Sequence, residues 1–396
     1  MAIKYIDQIN LKGKKVLIRV DFNVPLNENR QITDDTRIRR ALPTINHALN
    51  NDAQVILMSH LGRPKGKVRP ELSLLPVAKH LAKVLQKNVP LAPDCIGPEV
   101  EKMVSELKPK DVLLLENLRF HPEEEKNDKD FGRKLANLAD VYINDAFATA
   151  HRAHASNVAI VEFVPEYGAG FLMKNEIEYF QKAMESPKRP LVAIVGGAKV
   201  SGKLHALENL LQKVDKVLIG GGMAFTFLKA HGFEVGNSLV ENDLLETARR
   251  IMDHAYQRRI KLYLPVDCVA ADKSDPQAKT ITIPIQEIPP GWMGLDIGPA
   301  TEKLFSEALH DARTIVWNGP MGVFEMEPFS NGTRTMVEIV AESDALTIVG
   351  GGDTDVAVHK WNAAEKISYI STGGGAFIEM LEGKALPAIT ALEKSR

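Results

Sequence analysis

The chain of 396 residues carries a formal net charge of −2, with 44% hydrophobic and 25% charged residues. That length exceeds one ordinary core, since single domains usually run to roughly 100–200 residues, so two domains are expected. The composition excludes long disorder, and the charge balance offers no global field for nucleic acid or an anionic membrane.

No apolar run reaches the ~18 residues of a membrane span, and the first residues, Met1 to Lys4, lack a basic-then-apolar signal pattern. The two cysteines, Cys95 and Cys268, lie far apart and form no C-x-x-C, which suggests neither a disulfide framework nor a zinc ribbon. A cytoplasmic protein is expected. In chain order, predicted strands run over 15–20, 54–59, 111–115, 141–144, 191–195, 216–219, 314–317, 345–349 and 367–370. They are apolar throughout rather than alternating, as strands covered on both faces are. Apolar residues at helical spacing fill the intervals, for example over 74–86, 175–184, 244–258 and 336–341.

This alternation predicts parallel sheets with right-handed helical crossovers. The expected fold is α/β: two doubly wound, Rossmann-like domains joined by a helix, with a cleft between them. The joining region is placed within 173–190, where an amphipathic segment runs into Ser186-Pro187-Lys188-Arg189-Pro190. Two prolines cannot continue that helix. With Gly168 and Gly170 before it, the segment is the expected hinge.

Ligands of open parallel sheets bind beyond the carboxyl ends of the strands, which selects the loops to inspect. In the first half these are Asp21-Phe22-Asn23, Ser59-His60-Leu61-Gly62-Arg63, Asn117-Leu118-Arg119, Asp145 and His151-Arg152-Ala153-His154, with Arg37 opening the first helix. One arginine alone is most simply a solvated charge. Arginines and histidines on successive strand ends point to a pocket for a small, multiply anionic ligand, because guanidinium forks match phosphate and carboxylate oxygens. A metal at His151 and His154 is not expected, since no carboxylate or cysteine completes the set nearby. Glu123-Glu124-Glu125 is read as an exposed acidic loop or helix start.

The second half carries glycine clusters after its strands: Gly196-Gly197-Ala198-Lys199, Gly220-Gly221-Gly222, Asn318-Gly319-Pro320, Gly350-Gly351-Gly352-Asp353-Thr354 and Ser371-Thr372-Gly373-Gly374-Gly375. Glycine lets backbone approach a ligand closely, and each cluster leads towards a helix whose free N–H groups favour anions, which reads as a nucleotide-phosphate cradle. No G-x-G-x-x-G follows a strand, which argues against a dinucleotide dehydrogenase. Gly197 to Lys203 fits G-x-x-x-x-G-K, but Leu204 stands where a P-loop needs Ser or Thr for magnesium. Asp353 is then the best-placed carboxylate for Mg2+.

Together these motifs resemble phosphoglycerate kinase over essentially the whole chain. The resemblance rests on Arg19-Val20-Asp21-Phe22-Asn23-Val24-Pro25, Ser59-His60-Leu61-Gly62-Arg63-Pro64, Glu116-Asn117-Leu118-Arg119-Phe120, Gly196-Gly197-Ala198-Lys199-Val200, Gly220-Gly221-Gly222-Met223-Ala224, Trp317-Asn318-Gly319-Pro320 and Gly350-Gly351-Gly352-Asp353-Thr354. It implies that residues 1–172 bind 3-phosphoglycerate or 1,3-bisphosphoglycerate through Asp21, Phe22, Asn23, Arg37, His60, Leu61, Gly62, Arg63, Arg119 and Arg152. It implies that residues 173–385 bind ATP or ADP with Mg2+ through Lys199, Lys203, Gly222, Gly294, Asn318, Glu325 and Gly350, Gly351, Gly352, Asp353 and Thr354. The last residues, from about Leu386, are expected to return to the first domain, and a monomer is expected. Two positions depart from the family pattern: Gly202 replaces an acidic residue common between the two lysines, and Ala148 occupies a position often glycine.

The attacking group in this direction is a carboxylate, already ionised, so no general base is required and catalysis rests on positioning and charge stabilisation. In-line attack on the γ-phosphoryl group is expected, with Arg37, Lys199, Lys203 and the Gly373, Gly374 and Gly375 helix start sharing the developing charge after hinge-type domain closure. An inactive metabolite-binding regulator could have lost Lys199, Lys203 or Asp353, and this chain keeps all three. A nucleic-acid-binding protein would want a basic surface, which the charge balance withholds.

Overall fold

The computed structural model describes residues 3–393. The chain divides into two compact units, the first built from residues up to Ile177 together with those from Ala385 onward, the second from Glu178 to Lys384.

The first unit holds β1 (Lys15–Arg19), β2 (Gln54–Met58), β3 (Val112–Leu114), β4 (Val141–Asn144) and β5 (Glu166–Ala169). They form one parallel sheet in the order β3-β2-β1-β4-β5. Runs such as Val16-Leu17-Ile18 are buried on both faces because helices cover both sides. Helix Thr36–Asn50 seats Ile38, Ala41, Ile45 and Ala48 on the core, the stripe that a 3.6-residue period lays on one face. Strand order reverses between β1 and β4, so the loops after them part and leave a crevice at the carboxyl ends. Helix Pro387–Glu393 lies in this unit, where the Ala388 N–H donates to the Ala150 carbonyl at 3.1 Å.

The second unit holds β6 (Leu191–Val195), β7 (Lys216–Ile219), β8 (Lys261–Tyr263), β9 (Asp267–Ala271), β10 (Thr280–Pro284), β11 (Met293–Ile297), β12 (Thr314–Asn318), β13 (Leu346–Gly350) and β14 (Tyr369–Ile370). Six form a parallel sheet in the order β14-β13-β12-β6-β7-β8, and its switch point lies between β6 and β12. The remaining three form an antiparallel sheet, β10-β9-β11, which the sequence pattern does not predict. Strand β10 shows why: its residues alternate between exposed and half-buried, so it offers no continuous apolar run. Strands β5 and β8 escape the pattern because they are short and only partly buried.

The division of the chain falls inside helix Phe171–Met184, between Ile177 and Glu178. The helix start belongs to the first unit: the Phe171 N–H donates to Thr44 Oγ1 at 2.9 Å and that of Met173 to Asp145 Oδ1 at 3.1 Å. Further along, Phe180 packs edge-on against Phe377 of the second unit's helix Gly374–Leu381. The returning segment begins at Ala385, and its last residues, 394–396, lie outside those described. Gly168 and Gly170 sit at close-packed positions. A Cβ at Gly168 would meet the Lys4 carbonyl at 2.7 Å, and one at Gly170 would run into the Asp145 carboxylate.

Asp145 is buried, and burial pushes its carboxyl up to about 7, with the Thr44 hydroxyl and the helix N–H groups offsetting part of the cost. Its folded pKa exceeds the unfolded value of about 3.9, so between those values the folded state holds a proton that the unfolded state has lost. Stability contributed here is full below pH ~4 and falls as pH rises towards ~7. Asp145→Asn should therefore stabilise the protein at pH 8, by up to about 4 kcal/mol, and lose that advantage near pH 4. Urea unfolding of both proteins at the two pH values checks this.

Candidate functional site

In the first unit the chemistry gathers where β1, β2 and β3 end. Arg19, the last residue of β1, is fully buried, so protein groups must take the place of water around its guanidinium. Its Nε donates to Ser156 Oγ at 2.9 Å, its Nη1 to the Val20 carbonyl, and its Nη2 lies 3.3 Å from His60 Nδ1. Ser156 passes the interaction on, donating its hydroxyl to Glu124 Oε1 at 2.6 Å and its N–H to Glu124 Oε2 at 2.9 Å. Burial pushes the Glu124 carboxyl up, while the charge of Arg19 and the Ser156 bonds offset part of that rise.

The expectation of a wholly exposed Glu123-Glu124-Glu125 run is thus corrected. Glu125 is exposed, but Glu124 is fully buried. The short helix Pro122–Glu125 presents one of its three acids to the turn containing Ser156. Glu124 Oε1 also lies 3.8 Å from His154 Nδ1, so a carboxylate does approach this histidine in space. Burial and the neighbouring arginines hold the His154 imidazole down to about 3, which leaves it neutral at pH 7.

The loop after β1 is ordered by its own polar groups. Asp21 pairs with Arg37 Nη1 and accepts the Asn23 N–H at 3.1 Å. Asn23 Oδ1 accepts the Gly62 N–H at 2.9 Å, and the Phe22 N–H donates to Ser59 Oγ at 2.8 Å while its ring is fully buried. Phe22 and Leu61 therefore offer backbone, their side chains being committed to the core. Asn117 clamps the next two loops together: its Oδ1 accepts from Leu61 and Arg119 N–H groups, and its Nδ2 donates to the Leu61 and Leu72 carbonyls.

Arg119 Nη1 donates to the Gly62 carbonyl at 2.8 Å, and Nε lies 3.4 Å from Glu125 Oε1. Its Nη2 is buried and makes no hydrogen bond among the described residues. Burial first, then the charge of Arg152, pushes this guanidinium down to about 10. Burial and the charges of Arg19, Arg119, Arg152 and Arg37 hold His60 well below the usual imidazole range, so it is neutral beside four arginines. The Arg152 Nε donates to His151 Nε2 at 3.2 Å, while Arg63 is exposed. The structure thus groups Asp21, Asn23, Arg37, His60, Gly62, Arg119 and Arg152. Sequence pattern alone assigns no role to Arg19 or Ser156, reads Glu124 only as part of an acidic run, and places Asn117 only among the strand-end residues. An arginine closing an otherwise apolar central strand is the one available signal.

In the second unit the loops after β6, β12 and β13 meet. Lys203 turns inward, donating from Nζ to the carbonyls of Gly196 at 2.6 Å and Asn318 at 2.9 Å. Burial lowers its pKa to about 8, and the charge of Asp353 works in the opposite direction, so the two groups feel one another. Gly319, at φ +98°, leaves room for this: a Cβ there would occupy the Lys203 ammonium and the Gly196 carbonyl. Asn318 Nδ2 donates to the Gly350 carbonyl at 2.8 Å, and Thr354 Oγ1 accepts the Gly319 N–H at 2.7 Å, pinning the β12 loop to the start of helix Gly352–Lys360.

That start faces a second one. A Cβ built on Gly374, which opens helix Gly374–Leu381, lies 3.6 Å from the Gly352 nitrogen, so two sets of free first-turn N–H groups stand side by side. Asp353 is exposed in the first turn. The loop joining Lys199 to Lys203 is held by Glu241, which no sequence motif singles out. Its Oε2 accepts the N–H groups of Val200 at 2.6 Å and Ser201 at 3.0 Å. Burial alone would raise the Glu241 carboxyl, but these bonds and the charge of Lys199 hold it below the usual range. Gly222 packs over Ala198, and Glu325 is exposed after β12. Gly294 stands on β11, where its missing side chain makes room for the Phe225 ring. Gly202 meets nothing within 4 Å of a built Cβ, so the space for a side chain exists.

Two doubly wound units, one with arginines and a neutral histidine gathered at its strand ends and one with glycine loops and lysines after its strands, fit the class of phosphoryl-transfer enzymes. Comparison with known proteins narrows the class. The phosphoglycerate kinase family model matches residues 6–384. The phosphoglycerate kinase of Geobacter metallireducens is 65% identical over 396 residues, covering 100% of both chains, and that of Aquifex aeolicus is 55% identical over 98% of both. Among solved structures, the phosphoglycerate kinase from Coxiella burnetii superposes with a TM-score of 0.92 at 45% identity, covering 99% of each chain. That from Pyrococcus horikoshii gives 0.83 at 33% identity, covering 98% of each. The chain belongs to the phosphoglycerate kinase family. It is a phosphotransferase with a carboxyl acceptor, moving a phosphoryl group reversibly between 1,3-bisphosphoglycerate with ADP and 3-phosphoglycerate with ATP in glycolysis.

Glu124 supplies a prediction independent of turnover. Removing one member of a buried charged network leaves the other uncompensated, at a cost of about 3–5 kcal/mol. Glu124→Ala should lose stability on that scale, whereas Glu125→Ala should lose clearly less, because its carboxylate is solvated although it lies 3.4 Å from Arg119 Nε. Denaturant titrations of the two variants check the difference.

Proposed function

We propose that the first unit holds 3-phosphoglycerate or 1,3-bisphosphoglycerate and the second holds the magnesium nucleotide. The observation that carries this reading is the buried Arg119 Nη2, which has no hydrogen-bond partner among the described residues; its guanidinium feels the charges of Arg152 and Arg19, and His60 feels those of Arg19, Arg119, Arg152 and Arg37. A buried, unpaired guanidinium N–H is costly, and an anionic oxygen of the ligand would satisfy it. Neutral His60 adds a hydrogen-bonding group without further repulsion. Asp21, Asn23, Gly62, Arg63 and Arg152 complete the substrate-binding set, with Phe22 and Leu61 contributing backbone.

In the second unit the adjacent first turns at Gly352 and Gly374, with Lys199 and Lys203, take the nucleotide phosphates. Gly222, Asn318 and Thr354 shape those loops, and Gly294 and Glu325 belong to the nucleotide side by the family resemblance alone. The exposed Asp353 carboxylate fits Mg2+, a hard ion that keeps several waters and takes one or two carboxylates beside substrate phosphates. When bound, the ion neutralises phosphate charge. Lys203, buried against two carbonyls, is preorganised to meet charge that develops during transfer.

The acceptor carboxylate is ionised at neutral pH, so the chain need supply no base. Transfer is in line and requires the two substrates, held by separate units, to come within about 3–3.5 Å. We therefore propose hinge closure, with Arg37 and the Gly373, Gly374 and Gly375 turn sharing charge on the moving group. Arg37 is held by Asp21, with a half-exposed side chain able to reach outward. On this reading the protein acts as a cytoplasmic monomer without nucleic acid or membrane, its formal net charge of −2 giving no global field for either.

Steady-state kinetics with both substrates varied tests the assignment. Arg37→Ala and Lys203→Ala should each lower kcat by about 10²–10³, the scale of one preorganised donor, and Arg119→Ala should raise KM for 3-phosphoglycerate while leaving KM for ATP nearly unchanged. Asp353→Asn should weaken the magnesium nucleotide alone. Equal losses for both substrates in Arg119→Ala and Asp353→Asn would contradict the division between the units.

A further inference from the structure

Outside the substrate pocket the first unit brings three metal-ligating side chains together from two loops. Residues 90–94 run beside β3, with the Ala92 N–H donating to the Leu114 carbonyl at 2.8 Å and the Glu116 N–H to the Asp94 carbonyl at 3.3 Å. This seats Asp94 and Cys95 next to His121, which follows the 3₁₀ turn Leu118–Phe120. One donor atom from each of Asp94, Cys95 and His121 lies within 4.8 Å of the other two. Asp94 Oδ1 is held in place by the Cys95 N–H at 2.6 Å and stands 2.7 Å from His121 Nε2. The His121 ring is steadied by Phe131, at 5.3 Å between centroids. Cys95 is fully buried and makes no disulfide, while the Asp94 and His121 side chains are 45% and 25% exposed, so an ion has an approach from that face.

We propose that Asp94, Cys95 and His121 form a site for a borderline divalent cation of the zinc or cobalt class, separate from the magnesium nucleotide site. One thiolate, one imidazole nitrogen and one carboxylate are a three-ligand set of the kind such ions take, with a fourth position left for water, whereas magnesium and calcium prefer oxygen alone. Around a tetrahedral ion with bonds of about 2.0–2.3 Å the donors stand roughly 3.3–3.7 Å apart, so Asp94 Oδ1 and His121 Nε2, now 2.7 Å apart, part to admit the ion while the thiol draws in, both by small side-chain rotations. Binding displaces the Cys95 thiol proton, and any proton on His121 Nε2, to solvent, so occupancy strengthens as pH rises. Neither cysteine-spacing nor histidine-spacing rules find this set, because its members come from segments that meet only in the folded sheet.

The test uses Co2+ as the probe, titrated into the full chain with Mg2+ in excess to fill the hard-ion site and followed by absorbance. One equivalent should bind with a thiolate-to-cobalt charge-transfer band and tetrahedral ligand-field bands, and Zn2+ should displace it. Cys95→Ala should abolish the charge-transfer band, and Cys268→Ala should keep it. Because Cys95 lies in the core, His121→Asn at a partly exposed position repeats the test with the thiol intact, and should weaken Co2+ binding at least about tenfold while far-ultraviolet circular dichroism stays unchanged. A wild type without the charge-transfer band would overturn the proposal. So would a band that survives Cys95→Ala, or His121→Asn binding Co2+ as tightly as the wild type.

Discussion

A guanidinium buried at the end of the central strand is the constraint around which the first unit is organised. Arg19 cannot reach water, so hydrogen bonds and a counter-charge must stabilise it in place. Ser156 and Glu124 provide both, linking β1 to the turns at 122–125 and 154–157. The same guanidinium lies against His60 and contributes to holding its imidazole neutral. Arg119 and Arg152 flank this lattice. With one buried carboxylate among several arginines, these strand ends retain positive charge, which on the proposed reading an anionic triose answers.

In the second unit the proposed anion site is built from backbone rather than guanidinium. Its loops come so close that side chains are excluded at several positions, and Lys203 lies in the space that Gly319 leaves. Asn318 and Thr354 then lock the β12 loop to a helix start. Donors fixed in this way need not reorganise as charge shifts during transfer, which is where electrostatic catalysis gains most. On the proposed reading, one sheet recognises by charge, and the other positions phosphate by geometry.

Much of this is legible in the sequence because its physics is local. Continuous apolar runs such as Leu17-Ile18 and Val192-Ala193-Ile194 identify doubly covered strands, and the loops following them carry the polar residues. The antiparallel sheet is not legible, since β10 alternates like a surface strand and is fixed only by pairing with β9. Glu124 misleads for a related reason. Three consecutive acids look alike in sequence, and only the packing of the 154–157 turn decides which one is buried. Glu241 and Asn117 act across 40 and 56 residues of sequence, separations at which no spacing rule operates. Gly168 and Gly170 suggest a hinge by composition, whereas their surroundings assign them to close packing.

Hydrogen exchange of the full chain, followed by mass spectrometry with each ligand added separately, tests whether recognition is split between the two units. With 3-phosphoglycerate alone, protection should rise in the segments around 21–23, 60–63, 117–121 and 151–157. With magnesium ADP alone, it should rise around 197–203, 318–320, 351–355 and 373–377. Protection of the second unit's loops by 3-phosphoglycerate alone, with the Arg19 and Arg119 segments unchanged, would contradict the account.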